Sequence, residues 1–211
     1  MADKERGIIE AARQSTQGSF RGWDEDAKLL KFLYTHKHWT PFEFAGMVIE
    51  VQAPIFVFRE WHRHRTQSYN EMSARYAPLP DLYYKPDLDN VQSRAAANHD
   101  RNKQAGSTTG VRAGRMTCAE WLENVDLFYQ QAEHLYQLAL SYGIPKELAR
   151  ITMPVGHYSR MRASANLRNW LAFLTLRMDP AAQAEIRQFA NAVGEIIKNQ
   201  FPQTWGIRES T

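Results

Sequence analysis

The sequence lacks the marks of a secreted or membrane-spanning protein. It contains a single cysteine, Cys118, so no disulfide can form within the chain. No apolar run approaches the roughly 18 residues that a transmembrane helix requires. The opening stretch MADKERGIIE is charged where a signal peptide is apolar. We therefore expect an intracellular, cytoplasmic protein with no membrane partner.

The chain also lacks internal repeats and a large excess of charge of one sign. Its formal net charge is +3, which is too small for a protein that wraps DNA but permits a local basic cluster that binds a small anion. At 211 residues, the chain is long enough to bury about 70% of the surface that its unfolded form exposes. We expect one domain over residues 1–211.

Apolar periodicity and helix-breaking residues predict a mixture of helices and strands. Helices are predicted over 24–37, 54–65, 119–142, 167–177 and 181–199, and strands over 44–51 and 157–165. Asn166 is a suitable N-cap for the helix that follows it. The polar residues 86–117 predict a long loop. Because helices and strands do not alternate regularly, the predicted fold class is α+β.

The most informative stretch is residues 59–76, REWHRHRTQSYNEMSARY. Its arginines must face water or an anion, because an unpaired buried charge costs several kcal/mol. The hydroxyl and amide groups between Ser68 and Ser73 add neutral donors, which favours a site for an anionic ligand. Glu60 and Glu71 lie within the basic cluster and favour a compact pocket. A nucleic-acid surface is the main alternative from another functional class.

Neither a metal site nor a thiol nucleophile is predicted. His36 and His38, like His62 and His64, are two residues apart, so on a helix the two rings of each pair point to different sides. Basic neighbours of His62 and His64 also repel a cation. The sequence around Cys118 gives no sign of a fixed basic pocket that would stabilise a thiolate, so we interpret it as a passive thiol.

Residues 63–75 read RHRTQSYNEMSAR and match every fixed position of RHRxxSxNExSxR, the signature of the flavin-dependent thymidylate synthases. AAR at 11–13, HWTPFE at 38–43, GIPKELARITMP at 143–154 and NLRNWLAFLTLR at 166–177 also resemble segments of this family. The likeness extends over about 7–205. It implies a single catalytic domain over 1–211, with an antiparallel sheet flanked by helices and the long polar loop at about 86–117.

The resemblance implies a flavoprotein methyltransferase of nucleotide biosynthesis that converts dUMP to dTMP. FAD is the implied cofactor, NADPH the implied reductant and methylenetetrahydrofolate the implied carbon donor. A homotetramer with sites shared between subunits is implied as well. No metal and no nucleic-acid partner are expected.

The resemblance also implies roles for individual residues. Arg177 corresponds to the catalytic arginine beside the pyrimidine ring, where a cation stabilises developing negative charge. The implied FAD-binding residues are Thr40, Arg63, His64, Arg65, Glu71, Asn166 and Arg168, with His38 near flavin and folate. The implied dUMP-binding residues are Glu60, Arg63, Glu71, Ser73, Arg75, Arg150 and Arg177.

Two residues depart from the family pattern. Glu60 stands where the family often has Gln, and its carboxylate repels a nucleotide phosphate unless Arg59 or Arg63 compensates. Ala172 stands where an Asn often helps to bind FAD. Two alternatives therefore stay open: a related flavin-dependent methylase or hydroxymethylase of another pyrimidine nucleotide, and a non-catalytic nucleotide- or nucleic-acid-binding protein on the same scaffold.

Overall fold

The structure is a computed structural model that describes residues 4–96 and 117–211. The α-helices in this part of the chain are α1 (Arg6–Arg13), α2 (Trp23–Thr35), α3 (Ile55–Trp61), α4 (Leu88–Ala96), α5 (Cys118–Ser141), α6 (Lys146–Ala149), α7 (Leu167–Arg177), α8 (Ala184–Gln200) and α9 (Pro202–Glu209). Short 3-10 helices cover Gln14–Thr16, Thr40–Phe44 and Arg150–Thr152. None of the helices described is both long and apolar enough to cross a membrane.

Three strands, β1 (Gly46–Pro54), β2 (Ser68–Glu71) and β3 (Tyr158–Asn166), form one sheet in the order β1-β3-β2. The backbone N–H of Leu167 donates to the carbonyl of Ala45 at 2.8 Å, and that of Ile55 donates to the carbonyl of His157 at 2.9 Å. The first bond joins the start of β1 to the end of β3, and the second joins the end of β1 to the start of β3. The two strands are therefore antiparallel. The α+β fold class is confirmed.

Contacts within the chain define two units. Unit 1 is drawn from Met1–Glu50, Trp61–Asn70 and Arg162–Thr211, and unit 2 from Val51–Glu60 and Glu71–Met161. The expectation of one catalytic domain over 1–211 stays a prediction.

Unit 1 has a core of aromatic and aliphatic side chains. Its fully buried members include Ile8, Ile9, Leu30, Phe42, Trp61, Trp170, Phe173, Ile186, Ile197 and Phe201. The carboxylate of Glu5 is also buried, and it accepts hydrogen bonds from the backbone N–H of Gln203 at 2.9 Å and of Thr204 at 2.7 Å. These N–H groups belong to the first turn of α9 and have no partner within the helix, so Glu5 supplies the cap that α9 needs.

Unit 2 is organised around the long helix α5, against which α4 and α6 pack. Thr117 caps α5, because its Oγ1 accepts from the N–H of Glu120 at 3.1 Å while the Glu120 carboxylate accepts from the N–H of Thr117 at 2.6 Å. Tyr129 of this helix stacks on the ring of Tyr83 at a centroid distance of 4.7 Å. The stack fixes the segment after β2 against α5.

Several predicted elements are confirmed in position. Helix α2 matches the prediction over 24–37, α5 the one over 119–142, and α7 the one over 167–177. Strands β1 and β3 lie where strands were predicted. Asn166 is the N-cap of α7, and its Oδ1 accepts from the backbone N–H of Asn169 at 3.0 Å.

The predicted helix over 54–65 is wrong for its last four residues, 62–65, because α3 ends at Trp61. The N–H of His64 donates to the carbonyl of Trp61 at 3.0 Å, which closes a tight turn in place of another helical turn. The basic residues 62–65 therefore follow the helix and do not form its last turn. In the polar stretch that follows, Ser68–Glu71 forms β2.

The predicted loop over 86–117 is wrong for Leu88–Ala96, which form α4. Its continuation over 97–116 lies outside the described residues. The predicted last helix over 181–199 is observed as α8, but α9 follows it and has no counterpart among the predictions.

Gly46 lies at the start of β1, close to the backbone at the end of β3. A Cβ atom at this position would stand 2.7 Å from the carbonyl oxygen of Ala165 and 3.1 Å from the Cα of Asn166. We therefore expect Gly46→Ala to lower the free energy of unfolding by about 1 to 3 kcal/mol, because backbone has to move. Urea or thermal unfolding measures this loss.

Gly206 provides the matched control, because it lies within α9 and has no atom within 4 Å of an added Cβ. Gly206→Ala should leave stability unchanged or raise it by about 0.5 to 1 kcal/mol, the usual gain of alanine in a helix. Equal unfolding midpoints for the two variants would contradict the close approach at Gly46.

Candidate functional site

In unit 1, Arg177 and His64 form a direct side-chain pair. Arg177 is the last residue of α7, and its Nε donates a hydrogen bond to Nε2 of His64 at 2.9 Å. A guanidinium group has donors and no acceptor, so Nε2 of His64 must carry no proton. His64 is therefore a neutral imidazole in this arrangement.

The surroundings of His64 favour the neutral form. Its ring meets the ring of Phe173 edge-on, with the centroids 4.9 Å apart. Burial lowers the pKa of His64, and the charge of Arg177 lowers it further, to about 4. A neutral acceptor is thus present throughout the physiological pH range.

The turn that carries His64 is held from two sides. The indole ring of Trp61 stacks on Phe173 with centroids 4.6 Å apart, and its Nε1 donates to Oε1 of Gln67 at 3.0 Å. The hydroxyl of Tyr69 lies 3.1 Å from the carbonyl oxygen of Trp61 and 2.8 Å from that of His64. Burial raises the pKa of Tyr69 to about 12, so the hydroxyl keeps its proton as a donor.

Two residues predicted to bind FAD lie at the start of α7. Asn166 caps the helix, as described above, and Arg168 forms an ion pair with Glu43. Asn169 links this helix to the turn after α3, since its Nδ2 donates to the carbonyl of Thr66 at 3.4 Å. The structural role of Asn166 is established, and its role toward flavin stays a prediction.

Other predicted flavin residues of unit 1 are on its surface. Arg63 and Arg65 have exposed side chains in the turn that follows α3. His38 and Thr40 line a cavity of about 320 Å³, whose other walls come from Ala11, Ala12, Leu33, Pro41 and Phe44. The cavity combines apolar walls with two polar groups, as small-ligand pockets usually do.

In unit 2, Ser73 and Arg75 lie together in the turn after β2. Oγ of Ser73 accepts from the backbone N–H of Arg75 at 3.3 Å and from its Nε at 3.4 Å. The guanidinium of Arg75 lies over the ring of Tyr76 at 5.2 Å. Lys146 adds a further cation, because its Nζ donates to the carbonyl of Tyr76 at 3.1 Å. This turn concentrates the positive charge and the donors that an anion requires.

The remaining predicted residues of unit 2 are Arg150, Glu71 and Glu60. Arg150 is exposed, and its Nε donates to the carbonyl of Glu147 at 3.3 Å. Glu71 is exposed at the end of β2, and Glu60 is half-buried in α3. Among the described residues, no hydrogen bond or ion pair links Arg150 to Ser73 or Arg75.

Sequence reasoning missed three residues of these clusters: Phe173, Tyr69 and Lys146. The helical spacing of Phe173 and Arg177, four residues apart, places both on one face of α7, and that signal was available. Tyr69 occupies a position that the signature leaves open. Within the described ranges, no group of His, Cys, Asp or Glu side chains is arranged to hold a metal ion.

Comparison with solved structures finds the same fold in a nucleotide methylase. The solved structure of the UMP/dUMP methylase PolB from Streptomyces cacaoi, bound with 5-Br dUMP, matches with a TM-score of 0.82 and 28% sequence identity. The match covers 98% of this chain and 90% of that one.

Sequence comparison then defines the family. The family model described as thymidylate synthase complementing protein matches residues 1–203. The flavin-dependent thymidylate synthase of Thermus thermophilus is 38% identical over 205 residues, which cover 97% of this chain and 72% of that protein. The enzyme of the same name from Thermotoga neapolitana is 34% identical over 197 residues, covering 93% and 82%. The chain belongs to the thymidylate synthase complementing protein family, and the predicted resemblance is confirmed.

The titration of His64 tests the geometry of its pair with Arg177. By NMR, we expect a pKa of about 4 for His64, assigned by loss of its signal in His64→Gln. Arg177→Ala should raise this pKa but leave it below the ordinary value, because burial is the larger cause.

The lowered pKa of His64 also makes the free energy of unfolding depend on pH. The unfolded chain binds a proton at His64 more readily than the folded chain, so this residue lowers the free energy of unfolding as the pH falls from about 6.5 to about 4. A pKa for His64 at or above 6.5 would contradict the arrangement.

Proposed function

We propose that the protein is a flavin-dependent thymidylate synthase that converts dUMP to dTMP. Methylenetetrahydrofolate supplies the carbon, and FAD, reduced by NADPH, supplies the hydride. The observation that carries this proposal is the uninterrupted signature from Arg63 to Arg75 in a chain that belongs to the family. The pairing of Arg177 with His64 in unit 1 supports it.

The residues of unit 1 fit FAD chemically. Arg63 and Arg65 are exposed cations suited to its pyrophosphate, and Arg168 and Asn166 lie at the start of α7. We assign His64, Thr40 and His38 to the same cofactor, the last two through the cavity that they line. These residues bind and orient the flavin, whose own chemistry provides the hydride.

The residues of unit 2 fit a nucleotide phosphate. Ser73 and Arg75 present a hydroxyl and a guanidinium from one turn, and Arg150 is an exposed cation. We assign these three residues, with Glu71 and Glu60 as further contacts, to dUMP. A phosphate dianion is bound most strongly where several charged donors converge on it.

Arg177 is the proposed catalytic residue. A fixed guanidinium beside the pyrimidine stabilises negative charge that develops on the ring during carbon transfer. His64 cannot donate to the same charge through Nε2, because that atom accepts from Arg177. No cysteine nucleophile is required, which agrees with the interpretation of Cys118 as a passive thiol.

A homotetramer with sites shared between subunits is part of the proposal. Unit 2 exposes large apolar side chains that water solvates poorly, among them Tyr142 at 77% and Ile151 at 81% exposure. Exposed apolar groups of this size are typical of interfaces between subunits.

A second substrate is favoured by one observation. The structural neighbour from Streptomyces cacaoi is a UMP/dUMP methylase, and this chain carries Glu60 where its family often has Gln. A protein that accepts a ribose 2′-hydroxyl would methylate UMP as well as dUMP. We treat UMP as the second candidate substrate.

One turnover experiment tests the proposal. The purified protein should be yellow, and its reduced flavin should be oxidised in a dUMP-dependent manner when methylenetetrahydrofolate is present, with dTMP identified by mass spectrometry. UMP is assayed in parallel, and a hydroxymethyl product would be recognised by its mass. A colourless protein that gains no flavin absorbance with FAD and binds oligonucleotide with a steep salt dependence would favour the non-catalytic alternative.

Replacement of Arg177 tests the assigned catalytic role. Arg177→Ala should lower kcat by about 10²- to 10³-fold, the usual cost of removing one preorganised donor, while the melting temperature changes little because the residue ends a helix. Arg187→Ala is the matched control, since this arginine of α8 lies in the same unit and donates a hydrogen bond to the carbonyl of Pro180 at 2.7 Å. Turnover like that of the wild type in Arg177→Ala would reject the role.

A further inference from the structure

We propose that Tyr69 and His64 are positioning residues for Arg177: Tyr69 fixes the turn after α3, and His64 presents the acceptor that orients the guanidinium. The inference rests on the proposed catalytic role of Arg177. It assigns a function to Tyr69, which occupies a position that the family signature leaves open.

The first link is the bond between Arg177 and His64. An arginine side chain has several rotatable bonds, and holding its head group in one geometry costs conformational entropy. The 2.9 Å contact from Nε to Nε2 of His64 fixes the plane of the guanidinium.

The second link is the chemical state of His64. Only an imidazole without a proton on Nε2 accepts from Arg177, and the neutral ring then carries its proton on Nδ1. The edge-on contact with Phe173 at 4.9 Å fixes the ring from the side of α7. A charged imidazolium would repel the guanidinium and would have no acceptor to offer.

The third link is the hydroxyl of Tyr69. It lies within hydrogen-bond distance of the carbonyl oxygens of Trp61 and His64, which bracket the turn. The carbonyl of Trp61 belongs to the last turn of α3, where carbonyls have no partner within the helix. The hydroxyl of Tyr69, in β2, thereby holds the backbone of the residue whose ring accepts from Arg177.

The size of the effect follows from geometry. A displacement of about 1 Å in a catalytic group can cost on the order of 100-fold in rate. Phe at position 69 keeps the ring and its contact with His62, whose centroid is 4.7 Å away, and removes only the hydroxyl. The three links therefore make separate predictions for conservative variants.

The test compares kcat and KM for dUMP at saturating FAD in three variants. His64→Phe keeps an aromatic ring without an acceptor and should lower kcat about 10- to 100-fold. His64→Gln retains an acceptor near the position of Nε2 and should recover most of that loss. Tyr69→Phe should lower kcat about 3- to 10-fold with KM for dUMP changed less than twofold. Melting temperatures of all variants verify that they fold.

A double-mutant cycle decides whether these residues act through Arg177. In the Arg177→Lys background, where no Nε–H remains, Tyr69→Phe should lower kcat less than twofold further. Effects that multiply independently with that of Arg177→Lys would overturn the proposal, and so would equal kcat values for His64→Gln and His64→Phe.

A measurement without turnover separates this inference from the proposed function. The ¹⁵N spectrum of His64 should show a neutral ring protonated on Nδ1, and Tyr69→Phe should shift its Nε2 signal toward that seen in Arg177→Ala. An Nε2 signal that is unchanged in both variants would overturn the proposed positioning roles of Tyr69 and His64. If the wild-type protein does not turn over dUMP but the expected shifts are seen, the proposed function is rejected and the positioning of Arg177 by His64 and Tyr69 is retained.

Discussion

The stack of Trp61 on Phe173 is the contact on which the candidate site in unit 1 depends. Both rings are fully buried, and they join the end of α3 to the middle of α7. The turn with Arg63, His64 and Arg65 begins at one side of this contact, and Arg177 follows Phe173 by one helical turn. The polar groups of the site are therefore placed by an apolar core contact, while the hydrogen bonds of Tyr69 and His64 refine their orientation.

Several residues combine a structural role with a proposed functional one. Asn166 ends β3, caps α7 and is a proposed flavin contact. Arg168 is paired with Glu43, which limits its rotamers before any cofactor binds. In unit 2, Ser73 accepts from Arg75 and so holds that guanidinium near the hydroxyl. Binding groups that the fold already restrains lose less conformational entropy when a ligand arrives.

The elements that sequence patterns predicted well are those with local signals. The cap at Asn166, the apolar spacing of α5 and the alternation in β1 and β3 are visible within a few residues. The end of α3 was missed because the contacts around it, such as that of the Tyr69 hydroxyl in β2 with the carbonyl of Trp61, form only in the folded chain. Helix α9 was missed because Glu5 supplies its cap from the opposite end of the sequence. The proposed chemistry of the site comes from the signature, whereas the bond between His64 and Arg177 is visible only in the fold.

The buried carboxylate of Glu5 also has a consequence for the order of events during protein synthesis. Its two donors, the N–H groups of Gln203 and Thr204, are separated from it by nearly the whole chain. Phe201 and Trp205, which are buried in the same unit, emerge from the ribosome at the same late stage. Until then the carboxylate of Glu5 must keep its contact with water, because the burial of a polar group without hydrogen-bond partners is costly. Unit 1 therefore closes only after translation has passed residue 205, whereas the polypeptide of unit 2 has been synthesised earlier.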